Sequence, residues 1–156
     1  MLIDGYNLLR AIQNYSEEMA AITDTILCAV LSEYLRKNRK RAQIIFDGIG
    51  PPDKTELFSF RNPKVVFSGP TLEADDIIEQ LILNNTAPKR LTVVSSDRRI
   101  KDAARKRKAI TINSLDFWAG VVKCLERKPK HSPEPREKSL GISKFETELW
   151  LKEFGL

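Results

Sequence analysis

The chain has 156 residues, 42% of them hydrophobic, and a formal net charge of +5, which is the length and apolar content of one domain with a single packed core. No apolar run approaches the roughly 20 residues of a membrane span, and the N-terminal region has no basic stretch leading into a long apolar one. A cytoplasmic protein with no membrane partner is therefore expected. Residues 1–88 hold 12 acids against 9 bases, whereas residues 89–156 hold 9 against 17. Much of that excess lies in KRLTVVSSDRRIKDAARKRK, either a surface that meets a polyanion or a solvated helix face with its cations toward the C-terminal end. Cys28 and Cys124 sit among apolar helical neighbours without paired metal-ligand spacing and are expected to be buried, reduced thiols.

In chain order, a short strand LI runs into Asp4. A helix is predicted in SEEMAAITDTILCAVLSEYLRKN, with Ile22, Ile26, Leu27, Val30, Leu31 and Leu35 as its apolar stripe. AQIIFD is a second strand ending in Asp47, and GIGPPDK after it is a loop. KVVFSG is a third strand, EADDIIEQLILNN an acid-fronted helix, LTVVSS a fourth strand, DRRIKDAARKRK a helix, AITI a fifth strand and SLDFWAGVVKCLER a helix. Strands that are apolar on both faces and alternate with helices describe an α/β fold, a parallel sheet covered on both sides. The domain is expected over residues 1–127. Residues 128–141, KPKHSPEPREKSLG, then form a linker, and 142–156 a short amphipathic helix carrying Phe145, Leu149, Trp150 and Phe154. That helix is too short to stand alone and docks either on its own domain or on a partner.

In an open parallel sheet, ligands bind beyond the carboxyl ends of the strands. Asp4 and Asp47 end strands, each followed by a glycine that lets the backbone turn, and Asp97 follows TVV after two serines, just before a helix. At roughly 100° per residue, Asp75 falls on the border between the apolar stripe of its helix and the polar face, with Asp76 and Glu73 turned further to solvent. Glu73 is read as an acid favoured by the helix dipole. Carboxylates gathered this way repel one another unless a cation joins them, and a hard divalent ion such as Mg²⁺, which prefers oxygen ligands, meets that need. Such an ion activates water and offsets charge on a phosphoryl oxygen. Other chemistries lack parts: His131 is the only histidine and lies in the linker as a solvated side chain, and no P-loop, dinucleotide fingerprint or nucleophile elbow is present.

The motifs LIDGYNLL, IIFDG, EADDIIEQL and VVSSDRRI, in that order over about residues 2–113, resemble the YacP-like branch of the NYN domains, within the wider PIN-like group of metal-dependent nucleases. The resemblance implies a three-layer PIN-like fold with a central parallel sheet of four to five strands flanked by helices. It also implies an acidic pocket for Mg²⁺ or Mn²⁺, and RNA cleavage. By position Asp4, Asp75 and Asp97 match the family's principal acids, Asn7 the asparagine of the first motif, Asp47 the acid after the second strand, and Asp76 a site where relatives carry a second acid. One branch looks like a ribosome-associated endoribonuclease, so a ribosomal partner is implied alongside RNA.

The leading expectation is a metal-dependent endoribonuclease with Asp4, Asp75 and Asp97 on the ion. Asp47 and Asp76 support its waters, and the 89–108 segment, through Arg98, Arg99, Lys101 and Arg105, contacts phosphates. Asn7 either orients a water or phosphate oxygen or caps the turn after the strand; Ser95 and Ser96 either cap turns or contact phosphate. The alternatives are a non-catalytic RNA- or ribosome-binding module of the same fold, and a phosphatase or flap-type DNA nuclease on a related pocket. RNA target, number of ions and oligomeric state are not set by the sequence.

Overall fold

The apolar runs that end at the three strand-end aspartates become neighbours in one sheet. In the computed structural model, which describes residues 1–127, the strands are β1 (Leu2–Asp4), β2 (Gln43–Phe46), β3 (Lys64–Phe67), β4 (Thr92–Val94) and β5 (Ile110–Ile112). All pairings are parallel, in the order β3-β2-β1-β4-β5. The helices are α1 (Gly5–Gln13), α2 (Asp24–Asn38), α3 (Thr55–Ser59), α4 (Ala74–Leu83), α5 (Arg98–Lys106) and α6 (Ser114–Glu126).

Alternation along the strands divides the core into two layers. Ile3, Ile44 and Val94 pack with Leu8, Ile12, Leu27, Leu31 and Val121 of α1, α2 and α6 on one face. Leu2, Ile45 and Val93 pack with Ile78, Ile82, Ile100 and Ala104 of α4 and α5 on the other. The helix stripes are therefore the two outer layers, as the doubly apolar strands require.

Three local features differ from the expectation. Helix α1 begins directly at Gly5, so Gly5 does not serve a turn; a Cβ there would lie 2.5 Å from the Phe46 ring and 2.9 Å from the Ile45 carbonyl, and only glycine lets α1 come this close to β2. The helix expected across residues 16–38 divides into a single 3₁₀ turn, Glu17–Met19, and α2. Thr23 starts α2 by accepting the Ile26 N–H at 3.3 Å on its hydroxyl, and Arg39, left-handed at φ 52°, ends it. Between β2 and β3 the chain forms the short helix α3 after the GIGPPDK loop, where Gly48 takes φ +83° and does provide the turn expected of it.

Cys28 is buried, and burial pushes its thiol up to about 12; Cys124 is half-buried, its Sγ accepting from Asn38 Nδ2 at 3.1 Å. Among the described residues no helix is long and apolar enough to cross a membrane. The expected linker and terminal helix, including His131, Phe145, Leu149, Trp150 and Phe154, lie outside the described residues.

Candidate functional site

From β1 the chain steps outward through β2 to β3, then crosses to the other side of β1 to form β4 and β5. Connections therefore diverge between β1 and β4, opening a crevice at the carboxyl ends of those strands, where α/β sheets bind ligands. A cleft of about 470 Å³ lies there, and its lining includes Asp4, Asn7, Asp47, Asp75 and Asp97.

Asp4 is the anchor. It ends β1 with 7% of its surface exposed, accepts the Ser95 hydroxyl on Oδ2 at 2.9 Å, and accepts the Asn7 N–H on Oδ1 at 3.4 Å. Burial raises its carboxyl from the ordinary 3.8 to about 6; the two hydrogen bonds oppose this, and the charges of Asp75 and Asp97 add to it. Ser95 is fully buried and also accepts the Asp97 N–H on Oγ at 3.0 Å, so one hydroxyl joins the acid of β1 to the backbone that presents the acid after β4. Asp97 caps α5 with Oδ1, accepting the N–H groups of Arg99 at 2.7 Å and Ile100 at 3.3 Å. Asp75, at the border position the helical spacing predicted, is half-buried; its carboxyl is raised by burial first and then by Asp97, against the opposing charge of Arg99.

Asn7 does not cap α1. Its Oδ1 accepts the Ser96 N–H at 2.8 Å and the Ser114 hydroxyl at 2.6 Å, tying α1 to the β4 turn and to the start of α6. Because a backbone N–H can only donate, this network fixes the oxygen end of the amide and leaves Nδ2 without a protein acceptor among the described residues. Ser96 in turn accepts the Ser114 N–H on Oγ at 3.0 Å, the capping role expected of a serine here. Ser114 was not singled out from sequence, although it opens a helix at the end of a strand, the pattern that marked Asp97. Arg10, from α1, also lines the cleft, with its guanidinium 5.9 Å from the Tyr6 ring centroid.

Asp47 lines the cleft but is engaged in structure: its Oδ1 accepts the Ala74 N–H at 3.0 Å and the Ser68 hydroxyl at 3.2 Å. The first amide of α4, an orphan donor, is thus satisfied from the end of β2. Asp76 is not among the residues that line the cleft; it accepts the Glu73 N–H at 3.2 Å and pairs with Arg99 at 2.8 Å, which holds its carboxyl below the ordinary range. Among the described residues, no group of three or more His, Cys, Asp or Glu side chains is gathered closely enough to chelate a metal directly.

The basic candidates all lie on α5, and each is within reach of a protein partner. Arg99 is taken up by Glu79 at 2.8 Å, Asp76 and Glu73. Arg105 pairs with Asp102, and Lys101 donates to Asn113 Oδ1 at 3.0 Å. Arg98 is the open one, with its side chain 94% exposed and 3.9 Å from Asp102. None of the four lines the cleft.

The model of the YacP-like NYN domain matches residues 1–149 of this sequence. The chain belongs to the YacP-like NYN domain family. Membership makes it a nuclease-like, RNA-related domain. Two solved structures share the fold. Rae1 (YacP) from Bacillus subtilis superposes with a TM-score of 0.62 at 19% identity, covering 98% of this chain and 79% of that one. Its W164L mutant gives 0.58 at 22% identity, covering 79% and 74%. No curated protein matches the chain. The five-stranded parallel sheet with helices on both faces is the architecture shared with these YacP structures, as the sequence motifs implied.

Proposed function

We propose that this YacP-like NYN domain is an endoribonuclease that hydrolyses RNA phosphodiester bonds in the acidic cleft with the help of Mg²⁺ or Mn²⁺. The observation that carries this is the meeting of Asp4, Asp75 and Asp97, from three separate segments, on one cleft where burial and mutual charge raise the carboxyls of the first two. The donor set fits a hard divalent ion: every candidate ligand is an oxygen, and a cation would relieve the mutual charge that adds to burial in raising Asp4 and Asp75. The lack of a three-residue chelating group suits an ion held through one or two carboxylates, with the remaining acids on its water shell. When bound, such an ion supplies a readily deprotonated water and offsets charge on the scissile phosphate.

The chain's own residues divide the remaining work. Asp4 holds its carboxylate against burial through Ser95, and Asp97 has one oxygen fixed by the α5 amides and the other left for the ion or its waters. Asp75 makes no hydrogen bond to protein among the described residues and completes the ring of charge. Asn7 directs its Nδ2 donors at a phosphate oxygen, and Arg10 and Arg98 offer cations near the cleft and its approach.

The test is cleavage of a labelled RNA by purified protein with Mg²⁺, Mn²⁺ or EDTA. Cleavage requiring the metal and falling about a hundredfold or more in Asp4→Asn is expected. Undiminished cleavage by that folded variant overturns the assignment. RNA binding without cleavage under either metal would select the non-catalytic binding module.

A further inference from the structure

With every strand parallel, all helix-to-strand connections reach the opposite, amino edge of the sheet. Four segments there, residues 36–43, 60–64, 84–91 and 105–110, contain thirteen lysines and arginines and no acid. The carboxyl-edge segments, by contrast, hold most of the acids that line or border the cleft. The molecule is thus polarised along its strands.

Position and pairing argue that this edge is more than a set of helix ends favoured by the dipole. Arg61 follows α3 by two residues, Lys64 is the first residue of β3, and Lys89 and Arg90 lie in a 3₁₀ turn, none in the last turn of an α-helix, where the dipole acts. Other exposed arginines find acids, as Arg99 and Arg36 do. The bases at positions 39–41, 61, 64, 89–90 and 106–108 make no ion pair among the described residues, although all are exposed. Register brings them side by side: Gln43, two residues after Arg41, pairs with Lys64 on one side and Leu2 on the other. A hollow of about 670 Å³ collects Arg41, Arg61 and Lys64 with Asn62 and Asn85. Cations without acids, grouped in a concave surface, recognise a chain of phosphates rather than one anion.

We propose that the amino edge of the sheet, centred on Arg41, Arg61 and Lys64, is a second RNA-binding surface that holds the phosphate backbone of a single strand away from the acidic cleft. The inference rests on RNA as the ligand of this domain but not on its being cut. RNA is favoured over a membrane because the family is RNA-related. A surface on the far side of the sheet retains one part of a long RNA while another part occupies the cleft, raising its effective concentration there.

The experiment measures binding of a fluorescein-labelled single-stranded RNA by anisotropy in EDTA across a salt series. It compares the full chain with Arg41→Gln/Arg61→Gln and with a charge-matched Lys54→Gln/Lys123→Gln. Circular dichroism melts confirm that all three fold. The first variant is expected to bind about tenfold more weakly near 0.1 M salt, with a salt slope smaller by about 1.4, because each phosphate that is no longer neutralised lowers the slope by about 0.7. Unchanged RNA binding, including the case where only binding to anionic phosphatidylserine vesicles falls, overturns the proposal, as does an equal loss in the charge-matched variant. Metal-dependent cleavage is read separately. Cleavage with no effect of Arg41 and Arg61 on binding removes this surface and leaves the nuclease assignment. Loss of binding in that variant without cleavage by any protein removes the nuclease assignment and leaves the surface.

Discussion

Asp4 carries a cost that the fold accepts for the sake of the cleft. Its folded value near 6 stands above the ordinary 3.8, so the folded state takes up this proton more readily than the unfolded chain. The group's favourable contribution is therefore complete below about pH 4 and is lost as pH rises through about 6. In metal-free protein Asp4→Asn is expected to gain roughly 1 to 3 kcal/mol relative to wild type at pH 7.5 and to lose most of that advantage by pH 4, measured by urea unfolding at the two values. Stability of the variant that does not depend on pH relative to wild type would show that burial does not raise this carboxyl. Asn7 has a different vulnerability. Asn7→Asp adds a further carboxylate to the cleft that Asp4, Asp75 and Asp97 already line and removes the Nδ2 donors, while keeping an oxygen for Ser96 and Ser114. RNA cleavage should fall at least about tenfold with the melting temperature nearly unchanged. Ser114→Ala, which removes only one donor to Asn7, should lower cleavage less. The tie between Asn7 and Ser114 was not legible in the sequence because it joins residues 107 apart, and nothing local in either stretch names the other.

The five strands, and the acids after three of them, are legible in the sequence because short apolar runs are bounded there by turn residues or helix starts. Helix α1 was missed although Gly5, Leu8, Leu9 and Ile12 follow the i, i+3, i+4, i+7 spacing of a buried face, because it starts with no linker after Asp4. The role of Gly5 was misplaced for the same reason: a turn is a local property, whereas the approach of α1 to β2 is tertiary. Gly5→Ala should therefore lower stability by roughly 2 to 3 kcal/mol, a fall in melting temperature of roughly 5 to 10 °C, since the fully buried Phe46 ring has no room to yield. A melting temperature within a degree of wild type would refute that close approach. The position of Asp76 on Arg99 was also beyond the sequence, because the α4–α5 packing decides which of several bases meets it. Asp47 links two elements through one oxygen. Asp47→Ala should cost about 1 to 2 kcal/mol and speed hydrogen exchange at the Ala74 amide more than at amides later in α4.

At the scale of the molecule, strand order decided which acids meet, and order is what periodicity leaves open: the jump from β3 across β1 to β4 puts Asp97 beside Asp4 rather than beside Asp47. The same topology separates the charges, sending helix starts with their acids to one edge and basic returns to the other. Among the described residues, α6 covers one face of the sheet through Phe117, Trp118 and Val121, all buried, and α4 and α5 cover the other through Ile78, Ile82, Ile100 and Ala104. A chain ending at Arg127 is therefore expected to unfold in a single cooperative transition, with a melting temperature within about 5 °C of the 156-residue chain, by calorimetry and near-ultraviolet circular dichroism. If the two calorimetric enthalpies match as well, the domain is energetically complete at α6. Loss of the cooperative transition, with apolar dye binding to the shortened chain, would instead show that residues beyond Arg127 cover part of this core.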